Sequence, residues 1–150
     1  MTVRVQREDF EVGHEIARLR AGNPRVGAVV SFIGTVRDLN EGQGVSTLTL
    51  EHYPGMTERS LEDICRQAGE RWDLEDLLVI HRFGELRPLD QIVLVVTTSA
   101  HRGEAFLACE FIMDYLKTQA PFWKKESTAQ GERWVEARGS DDVAAQRWSR

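Results

Sequence analysis

Six side chains that are, or can become, cationic stand at the ends of apolar runs: Arg37, His101, Arg102, Lys117, Lys124 and Lys125. Arg37 follows GAVVSFIGTV, His101 and Arg102 follow IVLVVTTSA, and the three lysines lie within FIMDYLKTQAPFWKKES. Ends of elements are where pockets form. A guanidinium forks onto phosphate oxygens through two parallel hydrogen bonds, so Arg37 suits anion binding. His101 and Arg102 open a strongly apolar helical stretch, where free N–H groups and the positive end of the helix dipole gather. Cations are unfavourable there unless an anion answers them, which points to a phosphate or carboxylate site.

Each residue also has a plainer explanation. Arg37 could close a strand-end salt bridge, His101 and Arg102 could sit in a solvated first turn, and Lys117 could simply answer the dipole of a last helical turn. Lys124 and Lys125 are neighbours on an expected strand, so at most one of them points into a given pocket. Phe122, Lys124 and Glu126 share one face, while Trp123, Lys125 and Ser127 share the other. Glu126 could pair with Lys124 from the same face. Taken together, the pattern suits a small polyanionic substrate.

Other chemistries find less support. The histidines are His14, His52, His81 and His101; no two sit at i, i+2 or i, i+4, and the cysteines are not spaced for zinc. No metal and no cofactor is expected. Cys65 and Cys109 fall on apolar positions of expected helices and read as buried free thiols of a reducing compartment. There is no G-x-S-x-G nucleophile turn. Gly42-x-Gly44 lacks a third glycine and is followed by a strand, so it is not a nucleotide fingerprint.

The 150-residue chain is acidic, with a formal net charge of −5 and a pI near 5.4. Nucleic-acid binders usually show a basic domain or stripe, which is absent from the totals. A basic site here must be local. The polar start, MTVRVQREDFEV, is unlike a signal peptide, and no apolar run approaches a membrane span. The expectation is one cytoplasmic domain over residues 1–150, with no nucleic-acid or membrane partner.

The elements that must position these residues follow from periodicity. Strands are expected at residues 3–5, 27–36, 46–52, 77–83, 92–98, 122–128 and 133–137. Helices are expected at 12–19, 57–72, about 101–119 and 141–148. DLNEGQG, residues 38–44, reads as a loop and the best candidate for a mobile segment. The third helix carries apolar residues most of the way round, so burial on more than one side is expected. Helices interleaved with pairs of strands indicate an α+β fold with a mostly antiparallel or mixed sheet.

LTLEHYPGM (48–56), IHRFGEL (80–86), TSAHR (98–102), FIMDYLKTQAPFWKKE (111–126) and RWVEAR (133–138) closely resemble the large, catalytic subunits of molybdopterin synthase. The resemblance covers almost the whole chain in order. It implies an α/β-hammerhead fold with an additional, mostly antiparallel β subdomain. It implies sulfur transfer to cyclic pyranopterin monophosphate, forming the dithiolene of molybdopterin. The sulfur would come from the C-terminal thiocarboxylate of a small ubiquitin-like subunit, within a heterotetramer built on a central dimer of large subunits.

By matching position, the resemblance assigns Arg37, His101, Arg102, Lys117, Lys124 and Glu126 to the pocket, with Phe32 and Met113 as apolar walls. Val36 and Lys125 lie in matching segments. Thr35 stands where a lysine is familiar, and Cys109 where no cysteine is expected. Lys117 is expected to transfer a proton or touch the partner's terminal carbonyl, with Lys124 assisting. Arg37, His101 and Arg102 would bind phosphate and pterin. A non-catalytic adaptor that docks a ubiquitin-like tail is the alternative, and a small phosphate-ligand or RNA-binding module a third.

His101 and Lys117 are 16 residues apart on one expected helix, which is roughly 24 Å at 1.5 Å per residue. One small pterin cannot touch both. Either His101 begins a bend, or the pocket is shared across a dimer; the shared pocket is the expectation.

Overall fold

The computed structural model describes residues 1–37, 39–40, 43–44, 47–128, 131–135 and 139–149. Along the chain run β1 (Thr2–Gln6), α1 (Val12–Arg20), β2 (Ala28–Thr35), β3 (Leu39–Asn40), β4 (Gln43–Gly44), β5 (Thr47–His52) and α2 (Met56–Arg71). Then follow β6 (Asp76–Arg82), β7 (Gly84–Leu86), β8 (Gln91–Ser99), α3 (Arg102–Gln119), β9 (Phe122–Thr128), β10 (Gly131–Val135) and α4 (Gly139–Gln146).

Strands β1, β6, β8 and β2 form a mixed sheet in that order, with β1 parallel to β6 and the other pairs antiparallel. DLLVIHR and QIVLVVTTS do not alternate because β6 and β8 are central and covered on both faces. Leu77 and Val79 point to the side where α2 and α3 pack, meeting Leu61, Ile64, Phe111, Ile112 and Leu116. Their neighbours Leu78 and Ile80 point the other way, toward Phe10 and α1. Period-two alternation therefore survives as two different cores.

The second sheet, β10-β9-β5-β7, is antiparallel throughout. Leu48, Leu50, Val36 and Leu86 form its apolar core. It lies at the end of the first sheet where β6 and β2 finish and β8 begins. The α+β class with an added antiparallel sheet thus matches the sequence reading.

Two expectations are revised. The expected loop at 38–44 contains a two-pair ladder, Leu39 to Gly44 and Asn40 to Gln43, too short to leave a periodic signal. Asp38, Glu41 and Gly42, with the mobility expected there, lie outside the described residues, as do Ser46 of the third expected strand and Glu136 and Ala137 of the last. The edge strand β7, three residues starting at a glycine, was also not anticipated. The expectation for α3 holds: it packs against β8, β2, α2 and α4, while Phe106 and Leu107 remain exposed in the chain.

The start of α3 is held by backbone. The Gly27 N–H donates to Ser99 O at 2.9 Å, and a Cβ on Gly27 would lie 2.2 Å from Ala100 O. Only glycine lets β2 begin this close to the β8–α3 connection. The other end is set by Pro121, which cannot continue a helix. Ala120 and Pro121 turn the chain from α3 directly into β9.

Candidate active site at the carboxyl end of helix α3

The lysines of the sequence stretch are separated by strand geometry. Phe122, Lys124 and Glu126 stand opposite His52, Leu50 and Leu48 of β5. Directly opposed residues share a face, so these three point toward the inner core. Trp123 and Lys125 stand opposite Glu51 and Thr49 on the outer face. There Lys125 lies 3.4 Å from Glu132 and over the Trp134 ring at 5.5 Å. Lys125 is therefore not brought into the group formed by Lys117 and Lys124; a period of two makes that unavoidable.

His81 lies within electrostatic range of both Lys117 and Lys124. It continues the Leu77–Val79 face of β6, the side covered by α3, and is 5% exposed. Its ring stacks on Phe122 at 3.7 Å between centroids, 18° from parallel. Its Nδ1 lies 2.8 Å from the carbonyl oxygen of Arg82. A carbonyl only accepts, so Nδ1 carries the proton and Nε2 keeps its lone pair. Burial pushes the imidazole down to about 3; the Arg82 carbonyl acts against this, and the positive charges of Lys117, Lys124 and His52 add to it. The ring is uncharged throughout the physiological range.

His52 flanks this group. Thr57 Oγ1 donates to Tyr53 O at 2.8 Å, so the 3.1 Å contact from His52 Nδ1 to that oxygen is a donation by His52. The His52 ring lies 4.4 Å from Phe83. Glu58 Oε1 is 3.8 Å from Nδ1, and Glu58 Oε2 caps α2 by accepting from Gly55 N at 3.0 Å.

The remaining candidates divide between two ends of the first sheet. Arg37 follows β2 and is exposed; since β2 and β8 are antiparallel, it lies at the end where β8 begins. Helix α3 returns along β8, which brings Lys117 to that same end. Val36 is core, 5% exposed, with its N–H donating to Asp90 O and its carbonyl accepting from Leu89 N. It supports Arg37 rather than offering a surface of its own. Met113 is half-buried against the α3 core, Phe32 is exposed on β2, and Glu126 is buried.

His101 and Arg102 lie at the opposite end, exposed at the start of α3. His101 is the N-cap residue but makes no side-chain cap; Glu104 supplies the first-turn acid there. The helix is unbroken over its 18 residues, so no bend shortens the path from His101 to Lys117. Arg37, His101, Arg102 and Lys117 make no side-chain hydrogen bond or ion pair among the described residues.

The cysteines offer no competing nucleophile. Cys65 and Cys109 are buried and free, and burial pushes each thiol up to about 12. A thiol at that value holds almost no thiolate at neutral pH.

The chain is an α+β subunit that gathers local positive charge at one end of its central sheet. The model of the MoaE protein family matches residues 5–119, and the chain belongs to that family. A molybdopterin synthase catalytic subunit from Ralstonia nicotianae is 68% identical over 98% of this chain and 84% of its own length. A MoaE structure from Burkholderia ambifaria superposes with a TM-score of 0.85 at 57% identity, covering 99% of this chain and 98% of the other. The crystal structure of molybdopterin synthase from Staphylococcus aureus gives 0.82 at 31% identity, over 89% and 96%. The family match ends before Lys124; the relatives' coverage includes it.

Sequence reasoning missed His81, His52 and the Phe122 stack. One signal was present: a histidine closing the apolar run LLVIH. A polar ring in a strand buried on both faces must find a hydrogen-bond partner.

Linkage gives a direct consequence. Below about pH 6.5 the unfolded chain protonates His81, whereas the fold resists protonation until about 3. The unfolded state then binds more protons, so stability falls as pH drops through this window. Above 6.5 His81 contributes no pH dependence. One such proton accounts for at most about 1.4 kcal/mol per pH unit. Urea midpoints of wild type should fall more steeply between pH 6 and 4 than those of His81→Phe; parallel slopes would refute the assignment.

Proposed function

We propose that this chain carries the sulfur-transfer step of molybdopterin synthesis. The substrate is cyclic pyranopterin monophosphate, and the donor is the C-terminal thiocarboxylate of a small ubiquitin-like subunit. The observation that carries the reading is the convergence of Lys117 and Lys124 beside uncharged His81, with Arg37 at the same end of the sheet. The relatives' description as catalytic subunits supports it. Both reactants are anionic and the chain is acidic, so local cations are needed to bring them together.

In each transfer the thiocarboxylate sulfur displaces an oxygen from a side-chain carbon of the pterin, a C–S bond forming as a C–O bond breaks, and the sulfur is left linked to the partner as a thioester. Water then takes the sulfur's place on the partner's acyl carbon, leaving a carboxylate. Lys117 contacts the terminal carbonyl or exchanges a proton there, and Lys124 assists. Cations fixed near developing negative charge stabilise it at no reorganisation cost. Arg37, with His101 and Arg102 of a second copy, holds the phosphate and pterin between Phe32 and Met113. The exposed Phe32 on β2, on the α3 side of the sheet, and Phe106 and Leu107 on α3 supply an apolar face for that second copy. The assembly acts in the cytoplasm as a central dimer with one small subunit at each end. Among the described residues, no helix is long and apolar enough to cross a membrane.

The test is reconstitution. Purified chain, thiocarboxylated small subunit and the pterin monophosphate should yield a product carrying two added sulfurs by mass spectrometry. Tail binding without product would leave only an adaptor.

A further inference from the structure

The reaction just proposed gives His81 no task, yet its burial is costly. An imidazole that must remain uncharged lies within electrostatic range of two ammonium groups, on the core face of β6 where a leucine would pack without penalty. Its orientation is over-determined: Nδ1–H is spent on the Arg82 carbonyl, and one ring face is spent on Phe122. Phe122 lies two residues before Lys124 on the same strand face. What remains available on the ring is the Nε2 lone pair. The charged or titratable groups around it are Lys117 on α3, Lys124 on β9, His52 on β5 and its own neighbour Arg82. Glu126 shares the Lys124 face, and Glu58 of α2 stands behind His52.

We propose that His81 is a positioning residue for the lysine pair, with Nε2 accepting a hydrogen bond from the ammonium of Lys124 and so fixing where that charge sits relative to Lys117. A neutral acceptor suits this place. A carboxylate would neutralise a charge the substrate needs, whereas an imidazole orders an ammonium and leaves its charge intact.

The chain's composition makes the test clean. Its only lysines are Lys117, Lys124 and Lys125, and Lys125 on the outer face serves as an internal reference. Trace acetylation followed by mass spectrometry gives the ratio of each inner lysine to Lys125, with neither pterin nor partner present. His81→Phe keeps a ring and loses the acceptor; His81→Gln keeps an acceptor near the Nε2 position and loses the ring. The expected result is a change of roughly fivefold or more in the Lys124 ratio for His81→Phe, with His81→Gln close to wild type. A ratio unchanged in folded His81→Phe, or changed equally in both variants, would overturn the proposal.

If His81→Phe does not fold, the wild-type protein decides the matter. Long-range 1H–15N spectra should show Nε2 unprotonated, and its resonance should move on Lys124→Met. No movement with that substitution would overturn the proposal. The inference rests on the sulfur-transfer reading only for its effect on rate. In a reconstituted reaction, kcat should fall roughly tenfold in His81→Phe with little change in pterin KM. If reconstitution yields no product in wild type but the acetylation ratios move as expected, the functional reading has failed and the positioning role stands.

Discussion

Replacing Lys117 with alanine is expected to slow dithiolene formation by roughly a hundred- to a thousandfold, the usual effect of deleting one preorganised electrostatic group. The chain should remain folded. Lys117 is exposed in the last turn of α3, and the core contacts of that turn belong to Leu116 and Met113. Its favourable position against the helix dipole contributes at most about 1 kcal/mol to stability. Lys125→Ala should stay within about twofold of wild type, because its partners, Glu132 and Trp134, are on the outer face and surface pairs contribute little. Single-turnover product formation with saturating thiocarboxylated partner measures both. A near-normal rate for Lys117→Ala would remove this lysine from the chemistry, and a large loss for Lys125→Ala would mean that the outer face of β9 matters instead.

Mixed dimers should recover activity that neither parent shows. Arg102→Ala and Lys117→Ala damage opposite ends of an unbroken helix whose ends are roughly 24 Å apart. If each pocket takes Arg102 from one chain and Lys117 from the other, a heterodimer of the two variants holds one site with both lesions and one with none. Its activity should be about half that of wild type. Differently tagged chains, purified through both tags in succession, provide verified heterodimers. Activity no higher than the better parent would show that each chain works alone, and His101 and Arg102 would then need another role.

His81 shows why part of the site escapes a reading by periodicity. Four histidines without metal spacing gave no reason to single it out, and its functional neighbours are distant in the chain. Lys117 follows it by 36 residues and Phe122 by 41. Nothing in LLVIHR announces a stack on the first residue of β9. The exposed Phe106 and Leu107 show the converse limit. Apolar character all round α3 was legible, but whether that surface meets the chain's own core or a second copy depends on what packs beside it.

The sequence by itself determined the class of the fold, most element positions and the family. Those rest on local signals: two-residue and 3.6-residue periods, Pro121 as a stop, and long specific runs such as FIMDYLKTQAPFWKKE. It also placed Lys124 and Lys125 on opposite faces, because side chains alternate in any strand. Tertiary structure alone decided which face is inward. The register of β9 on β5 sets Lys124 opposite Leu50 and Lys125 opposite Thr49, and a shift of one residue would exchange them. It also decided that β6 delivers an uncharged histidine to that inner face. Pairing register and burial are properties of contacts between distant segments, and no local pattern encodes them.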